Sequence, residues 1–197
     1  DEMRQAVRIT EEALSSTIAQ VRPGQTEQEI ATELRLAMLR AGAEDVAFVI
    51  TVAGPRTASP HAGSSSRPLQ PGDVLIVDCG AVYGGYVADI TRTFAIGEIP
   101  AELENVYAVV QAANEAGRDA VRPGARAQDV DRAARQVIVK AGYGDYFIHR
   151  TGHGLGLEVH EPPYIVEGNE ERLQPGMTFT VEPGIYIPGL GGVRIED

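Results

Sequence analysis

Apolar positions recur with a period near 3.6 over residues 2–20, where Met3, Val7, Ile9, Ala13, Leu14 and Ile18 make one stripe. That spacing predicts an amphipathic helix. Val-Arg-Pro-Gly at 21–24 ends it, because proline cannot continue the helical hydrogen bonding. Thr26 and Glu29 have the spacing of a capping box, so a second helix is expected over 30–39, stopping at Ala41 and Gly42. The period then shortens. Residues 47–52 read as a strand, and 53–71 as a loop rich in Gly, Pro and Ser. Residues 74–77 form a short apolar run ending at Asp78. Gly84 and Gly85 mark a turn, and 86–94 resumes a β-rich run with Asp89 inside it, which predicts a hairpin. After a break at 97–100, helices are expected over 101–121 and 128–139.

The pattern repeats. Val-Arg-Pro-Gly at 21 returns at 121, Ala-Gly at 41 returns at 141, and Leu-Gln-Pro-Gly at 69 returns at 173. Val-Asp-Cys-Gly at 77–80 aligns with Val-Glu-Pro-Gly at 181–184, and Gly84 to Asp89 aligns with Gly191 to Glu196. This reads as one domain over 1–197 built by duplication, with halves about 1–97 and 101–197. The expected fold is α+β: two halves about a pseudo-twofold axis, a central antiparallel sheet, and helices outside. Each half offers a hairpin with one acid on each strand. Joined at the axis, they bring Asp78, Asp89, Glu182 and Glu196 together.

Charge adds chemistry to this picture. Buried carboxylates need cations, and no basic residue lies between positions 68 and 91. A metal is the expected cation, and four carboxylates balance two divalent ions better than one. Three of the four histidines, His149, His153 and His160, fall in 147–160, and His61 sits in the first-half loop. Mixed carboxylate and imidazole donors suit Mn²⁺, Co²⁺, Fe²⁺ or Zn²⁺. Such a centre activates water, so the chemistry expected is hydrolysis. Ser64, Ser65 and Ser66 have no base pattern around them. Cys79 should face away from Asp78 and pack in the sheet.

Composition narrows the partners. A net charge of −11 on 197 residues argues against nucleic acid. The single cysteine rules out an internal disulfide and favours a reducing compartment, and no apolar run reaches membrane-span length. The chain begins at Asp1 rather than Met and stops at Asp197, so we read it as a piece of a longer protein.

These motifs resemble the catalytic domain of the pita-bread metallopeptidases: methionine aminopeptidase, aminopeptidase P, prolidase and creatinase. Pro60-His61, the Asp89–Thr93 segment, His149 to His153, Val159 to Pro163 and Gly191 to Asp197 are most similar to the branch that cleaves Xaa-Pro bonds. The resemblance implies metal ligands at Asp78, Asp89, His153, Glu182 and Glu196. Asp78 would chelate one ion, Asp89 and Glu196 bridge both, and His153 and Glu182 complete the other. Glu182 would transfer a proton from a bridging hydroxide or water, and His61 and His160 bind substrate and stabilise the intermediate. His149 would line the pocket and Arg194 steady it. The implied protein is a di-metal exopeptidase, a prolidase or an aminopeptidase P. Mn²⁺ is the first choice of metal, with Co²⁺ or Zn²⁺ possible. Its substrates would be proline-containing di- or oligopeptides, and it would be a cytoplasmic homodimer. The resemblance also implies a separate N-terminal domain in the parent protein and a further strand after Glu196. The alternatives are a methionine aminopeptidase-like enzyme and a catalytically silent peptide- or protein-binding module of the same fold.

Overall fold

The computed structural model describes residues 1–197. The elements run α1 (Glu2–Ile18), α2 (Glu27–Arg40), β1 (Asp45–Ala53), β2 (Val74–Tyr83), β3 (Tyr86–Val87), β4 (Ile90–Ala95), α3 (Ala101–Ala120), α4 (Ala127–Lys140), β5 (Gly152–Gly154), β6 (Glu161–Ile165), β7 (Gly184–Ile187) and β8 (Gly191–Arg194). Two short 3-10 turns, Gly54–Ala58 and Gly144–Tyr146, lie in stretches the sequence pattern left irregular. The capping box forms: Thr26 Oγ1 accepts the Glu29 N–H at 3.2 Å, and the Glu29 carboxylate accepts the Thr26 N–H at 2.7 Å. No helix is long and apolar enough to cross a membrane.

The repeated signposts make repeated main-chain bonds. Gly24 N–H donates to Leu69 O and Gly124 N–H to Leu173 O, both at 2.8 Å. Leu69 N–H returns to Gln25 O and Leu173 N–H to Ala125 O, again at 2.8 Å. In each half, the turn after the first helix is thereby tied to the irregular segment that leads into the hairpin.

β2 is the central strand of the larger sheet, with β1 antiparallel on one side and β3 and β4 on the other. β7 pairs with β8, and β5 with β6. Residues 151–153 lie along 180–182 as β1 lies along β2: Glu182 N–H donates to Thr151 O at 2.6 Å, and Thr180 N–H to His153 O at 2.8 Å. The two halves meet at β4 and β8. Glu196 N–H donates to Thr91 O at 3.0 Å, while the Thr93 hydroxyl donates to Arg194 O at 2.8 Å and accepts the Arg194 N–H at 3.2 Å. Threonine side chains therefore replace part of the backbone ladder at this seam.

Alternation along β2 sorts its residues between two faces. Leu75, Val77, Cys79 and Ala81 pack with Ile9, Leu14, Ile30, Leu34 and Met38 from α1 and α2. Cys79 is buried there, on the face away from Asp78 as expected. In the second half, Val106, Val110 and Ile138 of α3 and α4 pack on Ile185 and Val193. The helices cover the outside and leave the opposite sheet face for the acids.

Candidate metal centre

Asp78 stands across from Thr91 in the β2–β4 register. That register places Asp89 across from Gly80, so Asp78 and Asp89 are diagonal neighbours on one face. The regular ladder lapses at Ala88 and Asp89, where the sequence predicted an unbroken run. Gly80 is the reason the chain fits there: a Cβ on it would lie 1.9 Å from Ala88 O. Gly152, next to His153, meets the same requirement, since a Cβ there would sit 1.9 Å from Thr180 O. In the second hairpin, reciprocal main-chain bonds between Val181 and Asp197 continue the β7–β8 register. Glu182 therefore stands directly across from Glu196. The halves are related, but their acids differ by two residues in register.

His153 enters from β5 and is buried. Its Nδ1 lies 3.0 Å from Gly154 O, which fixes that nitrogen as the donor of a neutral ring. Nε2 then turns an unprotonated lone pair toward the acids, 3.6 Å from Asp89 Oδ2 and 3.4 Å from Glu182 Oε1. Ligand atoms of Asp89, His153 and Glu196 all lie within 4.8 Å of one another. Burial, then the charge of Asp78, pushes the Glu196 carboxyl up to about 7. Burial, then the charge of Glu196, holds the carboxyls of Asp89 and Glu182 well above the ordinary range. Burial lowers the His153 ring to about 4. Asp78 Oδ1 and Glu196 Oε1 are buried and have no hydrogen-bond partner. Convergent acceptors, orphaned oxygens and a lone pair aimed at carboxylates form a site that is unfavourable by itself and complete with divalent cations. The donor set fits the expected metal.

Arg194 is the one cation set into this cluster. Its guanidinium donates to Asp78 Oδ2 at 2.7 Å, Thr91 Oγ1 at 3.2 Å and the Tyr186 hydroxyl at 3.1 Å. The Thr91 hydroxyl in turn donates to Glu196 Oε2 at 2.6 Å. Tyr186 also meets His149 Nε2 at 2.8 Å, and His149 Nδ1 lies 2.7 Å from Arg150 O. Both nitrogens of His149 are thus engaged within the protein, and burial lowers its ring to about 4. His61 and His160 make no side-chain hydrogen bond and are exposed. The His160 ring lies 4.2 Å from that of His153, centroid to centroid.

Asp78, Asp89, His153, His160, Glu182 and Glu196 line a hollow of about 400 Å³. It adjoins a cleft of about 820 Å³ lined by His61, Asp78, His149, His160, Glu182 and Arg194 with Ile50, Pro60, Tyr164 and Val166. Every residue picked out from the sequence faces this one place. Sequence reasoning missed the supports. Tyr186 gave one weak signal, a polar-tipped residue inside a buried strand. Asp131 of α4 is fully buried, accepts the Thr151 hydroxyl at 2.6 Å, and pairs with Arg135, which donates to His149 O at 2.8 Å. Nothing in the α4 pattern marks Asp131 apart from a solvated acid.

The same architecture recurs in known proteins. The model of metallopeptidase family M24 matches residues 1–197. The chain belongs to metallopeptidase family M24. Its fold is the pita-bread fold of that family. Among M24 relatives, the probable dipeptidase PepE of Mycobacterium tuberculosis is 51% identical over 176 residues, 89% of this chain and 47% of the relative. The crystal structure of an X-Pro aminopeptidase from Thermotoga maritima superposes with a TM-score of 0.97 at 44% identity, over 99% of this chain and 56% of that one. A prolidase from Pyrococcus furiosus gives 0.96 at 42% identity, over 99% and 58%. The chain spans about half the length of these M24 relatives.

Proposed function

We propose that this chain carries the catalytic centre of an exopeptidase that hydrolyses the bond between an N-terminal residue and proline, with Xaa-Pro dipeptides as the first substrate class. The observation that carries this is the neutral His153 Nε2 aimed into four acids, two of them with orphaned oxygens, at the floor of a cleft lined by His61, His149 and His160. Relatives named Xaa-Pro dipeptidase and prolidase support the substrate class. Asp78, Asp89, His153, Glu182 and Glu196 would hold two divalent ions, with Mn²⁺ the first candidate. Bound there, such ions supply Lewis acidity and bring the pKa of water toward neutrality.

The chain's own groups divide the remaining work. Glu182 lines both the hollow and the cleft, so its carboxylate can take the proton of the attacking water and return it to the departing proline nitrogen. His61 and His160 keep free ring nitrogens and can donate to the carbonyl oxygen as charge develops on it. His149, with both nitrogens engaged, serves as a wall. Arg194 neutralises Asp78, and each of its three nitrogens is bonded within the protein, so it steadies the acids. A proline amide has no N–H to recognise, so selection falls to ring packing, for which Ile50, Pro60, Tyr164 and Val166 are the apolar lining.

The test is release of proline from Ala-Pro beside cleavage of Ala-Pro-Ala, in the full-length protein, with and without Mn²⁺. Metal-dependent cutting of the dipeptide alone supports a prolidase. Equal or faster cutting of the tripeptide makes it an aminopeptidase P. Faster cutting after Met in a Met-Ala peptide overturns the reading, as does silence on all three with metal bound.

A further inference from the structure

One buried acid lies outside the metal centre and carries no part of the mechanism above. Glu27 opens α2 and is fully buried. A carboxylate in that position is costly unless every oxygen is met, and here both are. Oε1 accepts the Ala53 N–H at 2.8 Å. Oε2 accepts the Ser65 N–H at 2.8 Å, the Ser65 hydroxyl at 2.7 Å and the Arg56 guanidinium. Arg56 passes the contact on, donating to Gly63 O at 2.8 Å. The main chain of the same turn adds two bonds: the Thr51 hydroxyl donates to Glu27 O at 2.5 Å, and Gln28 N–H to Ser65 O at 3.0 Å.

The donors share one property. Ala53 is where β1 ends and Ser65 is where the loop comes back to α2. Arg56 and Gly63 lie between, on either side of Pro60 and His61. The loop's only resident of chemical interest, His61, reaches the cleft from an exposed tip with no hydrogen bond of its own to fix it. Its placement therefore depends on the base of the loop. We propose that Glu27 is a positioning residue, whose buried carboxylate pins both ends of the 53–65 loop and so sets where His61 stands in the cleft. This rests on the peptidase reading for what His61 does there, and on geometry alone for how it is held.

Glu27→Gln is close to isosteric, but its NH₂ must face either the Ala53 donor or the Ser65 and Arg56 donors, so one end of the loop is released. The experiment uses the full-length, metal-loaded protein and two readouts. The first is hydrogen exchange by mass spectrometry. Glu27→Gln should speed exchange at least about tenfold in 53–65, on the scale of one lost charged hydrogen bond, and leave 149–160 unchanged. The second is a double-mutant cycle on Ala-Pro cleavage with His61→Ala. Glu27→Gln should lower kcat/KM about tenfold when His61 is present and less than about twofold when it is absent. Equal losses in both backgrounds mean a merely structural acid and overturn the proposal. Unchanged exchange in 53–65 overturns it as well. Should Glu27→Gln fail to fold, Arg56→Gln, half-exposed and tied to Gly63, is run through the same cycle with the same expectations. If metal-loaded wild type cuts only Ala-Pro-Ala, the cycle is run on that peptide; if it cuts neither, the Xaa-Pro reading falls, and the exchange result alone decides the proposal.

Discussion

At the scale of single residues, the site is a set of convergent acceptors of the kind that suits a cation, with a few donors placed among them. His153→Ala removes the imidazole whose Nε2 faces Asp89 and Glu182. Elemental analysis of the purified variant should show loss of bound metal while circular dichroism stays native. Glu182→Gln keeps the shape and removes the proposed proton carrier. Its kcat on Ala-Pro should fall by about 10² to 10⁴, and near-normal turnover would remove Glu182 from the assignment. Tyr186→Phe deletes the hydroxyl shared by half-buried His149 and buried Arg194 and leaves each short of a partner. Urea unfolding should register a loss of about 1–3 kcal/mol, whereas an unchanged midpoint would mean water fills the place. The acids and histidines were legible from sequence because their types and spacing announce chemistry. Tyr186, Asp131 and Glu27 were not, because a buried acid or hydroxyl looks like a surface one until its partners, far away in the chain, are known.

At the scale of elements, helices and the first hairpin could be read from periodicity, caps and turn glycines. Thr26 and Glu29 make the bonds their spacing predicts, and the Val-Arg-Pro-Gly breaks stop α1 and α3 where expected. The pattern said less where a strand does not run regularly. Asp89 sits in a lapse of the ladder, and its signal is not a hydrophobic alternation but a small residue on the neighbouring strand. Gly80→Ala tests this. Its Cβ would be driven into Ala88 O, so the backbone carrying Asp89 must shift. The expected result is a drop in stability of about 2 kcal/mol or more, with weakened metal binding by calorimetry. Stable protein with normal affinity would show that the strand gives way without disturbing Asp89. The second-half strand was equally hard to place, because residues 151–153 pair over a stretch too short to show a period.

At the scale of the whole molecule, four acids packed at the meeting of two halves make stability depend on pH and on metal. The folded carboxyls of Asp89, Glu182 and Glu196 are raised above their unfolded values, so the folded chain holds protons that the unfolded chain gives up. A raised carboxyl stabilises most below its unfolded pKa and loses that contribution as pH climbs toward the folded value. His149 and His153, lowered to about 4, act in the other direction, but only below about 6.5, where the unfolded rings protonate. Between pH 6.5 and 8 the acids act alone. Chelator-treated protein should therefore melt at lower temperature as pH rises over that window, by up to about 1.4 kcal/mol per pH unit for each proton released. Added Mn²⁺ should reverse the trend, and a melting temperature flat across the window without metal would contradict it.

The seam between β4 and β8 has a further meaning when considered from the unfolded side. Thr91 and Glu196, which touch across it, are 105 residues apart in the chain. An ion gripped by Asp89 and Glu196 together would close nearly the same interval, though only while the chain is folded. Unlike a covalent bridge, such an ion stabilises by mass action, by about 2.7 kcal/mol at a free concentration a hundred times its Kd. The proposed metal centre would then be a removable clasp on the fold as well as a reaction centre, and its contribution to stability would rise with metal concentration.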